Sequence, residues 1–198
     1  MSILVVNCGH WIGYHVVNDL LANDFQVEGI AISPETEDLL LFFGRNSSFT
    51  QIDKPKGKQY DACIIVGAFH TTYNINAKKM FIIQHEEANR ATESEVTFIR
   101  TPFLFGEWMP MDEDGCYRNN EYIRFDSDWF KQHAIYIQDF TKVLIQCVQS
   151  TKHPREMDIK LMDCRDTDKG TDVIKQELIE KKIEQVRKHY KLNRHLYS

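Results

Sequence analysis

The sequence lacks the features that define several large classes of protein. No segment approaches the run of about 18 apolar residues that a transmembrane helix needs, so we expect none. The N-terminus has neither a basic region nor a small-residue cleavage site, so we expect no signal peptide. The 198 residues include only 9 Gly and 5 Pro, which excludes a collagen-like or linker-like chain.

The sequence also lacks a paired pattern of cysteines and an excess of positive charge. The 5 Cys are odd in number, and no two of them form a C-x-x-C motif. We therefore expect neither a disulfide framework nor a metal site, and reduced thiols predict a cytoplasmic location. The 24 Lys and Arg against 29 Asp and Glu give a net charge of −5, which does not favour binding to nucleic acid. We expect no membrane partner either.

What the sequence does contain is a series of short apolar runs separated by amphipathic segments. Residues 3–6 and 25–32 predict buried strands, and residues 12–21 between them carry one apolar helical face. Such a strand, helix and strand form a parallel pair, and further units predict a doubly wound parallel α/β sheet. The remaining predicted strands are residues 49–52, 60–68, 80–83, 96–100, 133–137 and 159–162, and the remaining predicted helices are residues 35–44, 86–92, 139–149 and 171–190.

The predicted elements suggest how the chain is divided. Residues 1–150 would form a Rossmann-like domain. Residues 151–198 would form a C-terminal extension with a long amphipathic helix, as part of a small α+β lobe. In such a fold the ligand cleft lies at the carboxyl ends of the strands.

The turn after the first strand, residues 7–13, is where dinucleotide-binding folds hold a pyrophosphate on a helix N-terminus. A full glycine motif has three glycines there, but Asn7 and His10 occupy the first two positions and only Gly13 fills the third. Asn tolerates the left-handed backbone of a tight turn, whereas the His10 ring occupies space where the phosphates would pass. Two interpretations stay open: an altered dinucleotide site, or a turn that keeps only the glycine needed for packing.

The end of the second strand gives a weaker indication of a cofactor. An acidic residue there would bind the ribose of NAD, and a nearby Arg would accommodate the phosphate of NADP. This sequence has Ser33 at that point. Glu35 follows, as a residue that could reach the ribose or as the first-turn acid of the next helix.

Three stretches resemble the short-chain dehydrogenase/reductase family, in its extended, epimerase-like branch. Residues 5–21 resemble its opening strand, loop and helix, with Trp11-Ile12-Gly13 in place of an aromatic-Ile-Gly. Residues 61–68 resemble its fourth strand, and residues 96–106 resemble its sixth, with an Arg, a Pro and an aromatic-Gly after the apolar run. The resemblance implies an NAD(P)-binding fold with NAD or NADP as cofactor. Together with the expected cleft it predicts these cofactor-binding residues: Asn7, Cys8, Gly9, His10, Trp11, Ile12, Gly13, Ser33, Val66, Gly67, Ala68, Phe69, Thr101 and Pro102.

The resemblance does not extend to the family's chemistry. Its members transfer hydride with a Tyr-x-x-x-Lys pair, in which the Lys charge lowers the pKa of the Tyr one helical turn away. No Tyr in this sequence has a Lys four residues later. Only 27 residues separate Ala68 from Val96, too few for the two helices and the strand that normally lie there. We therefore predict no catalytic residue of the usual kind.

Two functions follow from these observations. The first is a degenerate, non-catalytic protein that binds a nucleotide-like molecule or a protein partner as a regulator, with NAD or NADP binding weak or lost. The alternative is an NAD(P)-dependent epimerase, dehydratase or reductase that acts on a nucleotide sugar or a similar small molecule by a variant mechanism. In that case His70 or Tyr73 would offer the proton donor. A homodimer is compatible with the resemblance, although the shortened middle removes the usual dimer helices.

Overall fold

The computed structural model describes residues 1–32, 38–67, 74–84, 96–101, 103–118, 121–150, 156–158 and 170–197, with the backbone alone for residues 156–158 and 170–177. Several predictions fall outside these residues: the helix at 86–92, the strand at 159–162 and the single residues Ser33, Glu35, Ala68, Phe69, His70, Tyr73 and Pro102.

The described elements alternate between strand and helix in the first half of the chain. In chain order the strands are β1 (Ser2–Val6), β2 (Gln26–Ile30), β3 (Phe49–Gln51), β4 (Ala62–Val66), β5 (Met80–Gln84), β6 (Val96–Arg100), β7 (Phe103–Phe105), β8 (Gly115–Arg118), β9 (Glu121–Arg124), β10 (Ala134–Tyr136) and β11 (Glu156–Asp158). The α-helices are α1 (Trp11–Ala22), α2 (Asp128–His133), α3 (Ile137–Gln149) and α4 (Gly170–Asn193), and 3-10 helices span Asp38–Phe43 and Arg194–Leu196.

Seven of the strands form one parallel sheet in the order β11-β6-β5-β4-β1-β2-β3. The chain moves outward from β1 to β3 and then returns to place β4 on the other side of β1. This reversal makes the carboxyl ends of β1 and β4 the topological switch point of a doubly wound fold, where such folds bind their ligands. The predicted Rossmann-like α/β class is thereby confirmed.

The core of the sheet explains why the apolar runs form strands. Every residue from Ile3 to Val6 is fully buried, as both faces of a parallel strand must be covered. The helices α1 and α3 are linked by a hydrogen bond from the Thr141 hydroxyl to the Asp19 carboxylate. The Lys79 ammonium donates to the carbonyls of Val148 and Ser150 at 2.9 and 2.8 Å. It therefore fixes the end of α3 beside the start of β5.

Some boundaries differ from the prediction. The helix predicted at 35–44 is described from residue 38 onward as a 3-10 helix, which ends where the Gly44 N–H donates to the Leu41 carbonyl at 3.2 Å. The helices predicted at 139–149 and 171–190 are longer, at 137–149 and 170–193. The strands β7, β8, β9 and β11 and the helix α2 were not predicted.

The chain forms two compact units that interleave in sequence. Unit 1 comprises Met1–Thr101 and Phe140–Ile159, and unit 2 comprises Pro102–Asp139 and Lys160–Ser198. Unit 2 contains the parallel pair β7 and β10, the antiparallel hairpin of β8 and β9, and most of the helical C-terminal residues. The predicted division at residue 150 stays a prediction about domains and does not coincide with these units. Within the described residues, no helix is long and apolar enough to cross a membrane.

Candidate functional site

The turn between β1 and α1 is tight, since the His10 N–H donates to the Asn7 carbonyl at 3.2 Å. Asn7 has a φ of 62°, in the left-handed region that Asn tolerates better than most residues. Its side-chain amide donates to the Val66 carbonyl at 3.1 Å. Asn7 therefore turns the chain and also joins the ends of β1 and β4 across the switch point.

Gly13 allows α1 to approach this turn closely. A Cβ at residue 13 would lie 2.2 Å from the Asn7 carbonyl oxygen and 2.9 Å from the Cys8 Cα. Because both contacts involve backbone atoms, no side chain fits without moving the chain. Gly13 therefore performs the helix-packing role expected of the third glycine of a dinucleotide motif.

His10 caps the helix that begins beside it. Its Nδ1 accepts a hydrogen bond from the Ile12 N–H at 3.3 Å, and its extended backbone is typical of an N-cap residue. An acceptor Nδ1 is unprotonated, so the neutral ring carries its proton on Nε2. The ring is thus held against the first turn of α1 and occupies one of the amides that an anion would otherwise use.

Other amides at this turn remain available. Among the described residues, the N–H groups of Gly9, Trp11 and Gly13 donate to no protein acceptor. The positive end of the α1 dipole lies at the same place. Together, these groups supply the donors and the field that a pyrophosphate requires.

Two of the predicted cofactor-binding residues have structural roles. The Cys8 N–H donates to the Ile30 carbonyl at 3.1 Å, and its side chain is fully buried. Gly29 leaves room for that thiol, because a Cβ there would lie 2.8 Å from the Cys8 Sγ. Ile12 is only 2% exposed. Both side chains belong to the core under the loop.

The carboxyl end of β4 lies against the turn. Gly67 has a φ of 94°, a conformation that a residue with a Cβ rarely adopts. Val66 is buried and accepts the Asn7 hydrogen bond. Thr101, after β6, is buried, and its N–H donates to the Gln84 carbonyl at 3.3 Å. The structure therefore brings together residues 7–13 and residues 66–67 at one edge of the sheet.

An ionic cluster in unit 1 was not predicted. The Glu28 carboxylate accepts from the Lys58 ammonium at 2.8 Å and from the Tyr60 hydroxyl at 2.6 Å. Burial raises the pKa of Glu28, but these two hydrogen bonds and the charges of Lys58 and Lys56 together hold that pKa below its usual value. Burial and the Glu28 hydrogen bond raise the pKa of Tyr60 to about 12. The cluster lies on β2 and the segment before β4, where it fastens that segment to the sheet.

No metal centre accompanies these features in the described part of the chain, where no three His, Cys, Asp or Glu residues lie close enough to share an ion. The arrangement around residues 7–13 is suited instead to an anionic ligand held by backbone amides.

Comparison with known proteins bears on the fold. The sequence matches no protein-family model and no curated protein. Solved structures match it, among them the yeast methylglyoxal/isovaleraldehyde reductase Gre2 in complex with NADPH, at a TM-score of 0.53 and 13% identity over 81% of this chain and 78% of the reductase. Another is vestitone reductase from alfalfa (Medicago sativa L.), at a TM-score of 0.51 and 8% identity over 79% of this chain and 76% of that enzyme.

These comparisons define the class of fold. The chain has the Rossmann-like fold of these reductases, and the predicted resemblance to the short-chain dehydrogenase/reductase family is confirmed as a likeness of fold.

Proposed function

We propose that this protein is an NAD(P)-dependent reductase, epimerase or dehydratase. It would bind NAD or NADP with the pyrophosphate over residues 7–13. The observation that carries this proposal is the α1 N-terminus. There Gly13 admits close approach to the turn after β1, and three backbone amides have no protein acceptor among the described residues. When bound, the cofactor would supply a hydride donor or acceptor.

His10 should make this loop bind a dinucleotide more weakly than a loop with glycine at residue 10. Its Nδ1 is engaged by the Ile12 N–H, so the ring is fixed beside the helix. We expect the pyrophosphate to pass over Gly9 and to accept from the amides of Trp11 and Gly13. One amide fewer than in a loop with glycine at residue 10 implies weaker binding, because each hydrogen bond to a charged group contributes about 1.5–3 kcal/mol.

The fold likeness to two reductases, one of them solved with NADPH, supports the catalytic interpretation over the non-catalytic one. Because no Tyr-x-x-x-Lys pair exists, another residue must supply the proton. We propose His70 or Tyr73, which follow β4 in the sequence. A small carbonyl compound or a nucleotide sugar is the proposed substrate, and a cytoplasmic location without nucleic-acid or membrane partners is proposed with it.

The first experiment is a calorimetric titration of the cofactor-free protein with NAD, NADP and their reduced forms. A ligand at one hundred times its Kd should raise the free energy of unfolding by about 2.7 kcal/mol, which a melting curve also detects. A folded protein that binds none of the four at millimolar concentration would overturn the proposal.

Trp11→Glu tests the location of the site. A carboxylate at the first helical position interacts favourably with the helix dipole, so the variant should fold. Its negative charge should repel the pyrophosphate and weaken cofactor binding at least tenfold. Trp11→Gln is the matched control, since it has the same size without the charge. Equal affinities for the two variants would place the cofactor elsewhere.

The missing catalytic pair also supports the non-catalytic candidate, a protein that binds a dinucleotide without turning it over. The distinction requires a search for turnover, with NADPH oxidation followed by absorbance in the presence of aldehydes, ketones and nucleotide sugars. Turnover that His70→Gln or Tyr73→Phe abolishes, without loss of cofactor affinity, supports the enzyme. Tight binding without turnover for every substrate supports the regulator.

A further inference from the structure

Unit 2 has a groove between its β8–β9 hairpin and α2, here called the hairpin groove. Its volume of about 680 Å³ falls in the range of small-molecule pockets, which is roughly 300–1,000 Å³. Its lining residues are Arg118, Glu121, Tyr122, Ile123, Arg124, Ser127 and Trp129.

The groove has an aromatic wall and a cation beside it. Trp129 is 46% exposed, and its indole meets the buried Phe103 ring edge-on, with centroids 5.3 Å apart. The Arg118 guanidinium also lies over Phe103, 5.3 Å from the ring centroid. The indole and the guanidinium therefore both contact the same buried ring.

Most polar side chains of the groove already have partners. The Tyr122 hydroxyl donates to the Asp112 carboxylate at 2.7 Å. Arg124 donates twice to the Asp126 carboxylate, at 2.9 and 2.8 Å. The Ser127 hydroxyl donates to the Arg124 carbonyl and accepts from the Phe130 N–H.

Arg118 and Glu121 differ from these side chains in their polar contacts. They are directly opposite each other on the hairpin, where cross-strand Cβ atoms lie about 5 Å apart and opposite charges commonly pair. Within the described residues, however, neither makes an ion pair or a side-chain hydrogen bond, because Arg118 is turned over Phe103. The groove thus presents a separate positive and a separate negative group beside an exposed indole.

We propose that the hairpin groove binds an α-amino acid with an apolar or aromatic side chain. Its carboxylate would be held by Arg118, its ammonium by Glu121, and its side chain would pack against Trp129. A zwitterion satisfies both charges with charge-assisted hydrogen bonds, which are about twice as strong as neutral ones. An anion would leave Glu121 unpaired, and a neutral sugar would neutralise neither charge. The proposal is independent of cofactor binding.

The test uses the full chain and L-phenylalanine as the probe, with binding measured by calorimetry and by tryptophan fluorescence. Phenylacetate lacks the ammonium, phenethylamine lacks the carboxylate, and glucose carries no charge. We expect L-phenylalanine to bind and each one-charge analogue to bind at least tenfold more weakly. Hydrogen bonds to charged groups of about 1.5–3 kcal/mol correspond to factors of ten to a hundred.

Two variants and a matched control identify the residues. Arg118→Gln and Glu121→Gln should each weaken L-phenylalanine binding about ten- to a hundredfold. Arg124→Gln removes a neighbouring cation that Asp126 already holds, so affinity should stay within about twofold. All three side chains are partly or fully exposed, so the variants should fold, which circular dichroism checks.

Four results would overturn the proposal. They are no binding of L-phenylalanine, phenylacetate binding as tightly as the amino acid, glucose binding in its place, and an equal loss from Arg118→Gln and Arg124→Gln. The second would identify an anion site, the third a sugar site, and the fourth a general effect of removing positive charge.

Discussion

The two units of this protein are stabilised in different ways. Unit 1 is a parallel sheet whose central strands β1 and β4 are apolar and buried on both faces, so its stability is spread over a continuous backbone ladder and many buried side chains. Unit 2 has short strands and relies on a few side-chain networks between distant parts of the sequence. The Glu107 carboxylate accepts from the Tyr136 hydroxyl at 2.8 Å and from the Gln185 amide at 3.0 Å.

A second network holds a strained residue in unit 2. Trp108 has a φ of 67°, a left-handed conformation that costs a residue with a side chain about 1–2 kcal/mol. Its N–H donates to the Tyr197 hydroxyl at 3.0 Å, and that hydroxyl lies 2.7 Å from the His189 Nδ1. A turn that is unfavourable by itself is therefore held by Tyr197.

This difference predicts which substitutions destabilise each unit. A ladder tolerates the loss of one polar contact, because most of its stability is apolar burial and backbone pairing. It does not tolerate a change where two backbones touch. A unit built on networks should be sensitive to single hydroxyl or carboxylate substitutions that remove one member.

The largest effect is expected where the backbones of unit 1 touch. Gly13→Ala places a Cβ 2.2 Å from the Asn7 carbonyl oxygen, and the forced displacement should cost about 3 kcal/mol. Gly57→Ala is the control for steric contact, because nothing lies within 4 Å of its Cβ, and only its left-handed φ of 72° opposes the change. That change should cost about 1 kcal/mol. Urea unfolding measures both losses, and equal values would show that α1 does not pack tightly on the turn after β1.

The next largest effect tests the network of unit 2. Tyr136→Phe removes one donor from the buried Glu107 carboxylate and should cost about 2 kcal/mol. Tyr117→Phe is the matched control, because that ring is 52% exposed and should lose almost nothing. Thermal unfolding of both variants makes the comparison. If Tyr136→Phe is as stable as its control, unit 2 does not depend on this network.

The same contrast explains how much of the fold could be predicted from the sequence. Except for β11, the strands of unit 1 were predicted, most directly where burial on both faces requires a continuous apolar run, as in β1 and β4. The strand β7 has only three residues and pairs with β10, which lies about thirty residues later. The hairpin of β8 and β9 carries exposed tyrosines and arginines, so neither element has the pattern that local sequence can reveal.

The candidate site was predicted where a backbone constraint selects one residue type. Asn7 in a left-handed turn and Gly13 under a close contact are such positions. The His10 cap and the bond from Asn7 to Val66 could not be predicted, because they depend on side-chain orientation and on a strand far along the chain. The pair of Arg118 and Glu121 was missed because the two residues lie opposite each other only in a hairpin that the sequence did not predict.

A smaller effect is expected from the ionic cluster of unit 1. The pKa of Glu28 is lowered in the folded protein, so its contribution to stability is present above the unfolded value of about 4.5 and is lost as the pH falls through the folded value. Glu28→Gln should therefore cost about 1 kcal/mol at pH 7, and this cost should become smaller as the pH falls below 4.5. Urea unfolding across this range tests it. Glu121 has no ion-pair partner among the described residues, so the effect of Glu121→Gln on stability should not depend on pH.

The smallest effect is expected from the ion pair of Arg124 and Asp126 in unit 2. The hydrogen bond between them raises the pKa of Arg124 and lowers the pKa of Asp126. Both side chains are nevertheless about three-fifths exposed, at 62% and 59%, so water and salt screen the pair. We expect Arg124→Gln and Asp126→Asn, alone and together, to leave the unfolding midpoint unchanged at low and at high salt. A loss that salt abolishes would mean that unit 2 draws stability from its surface charges as well as from its buried networks.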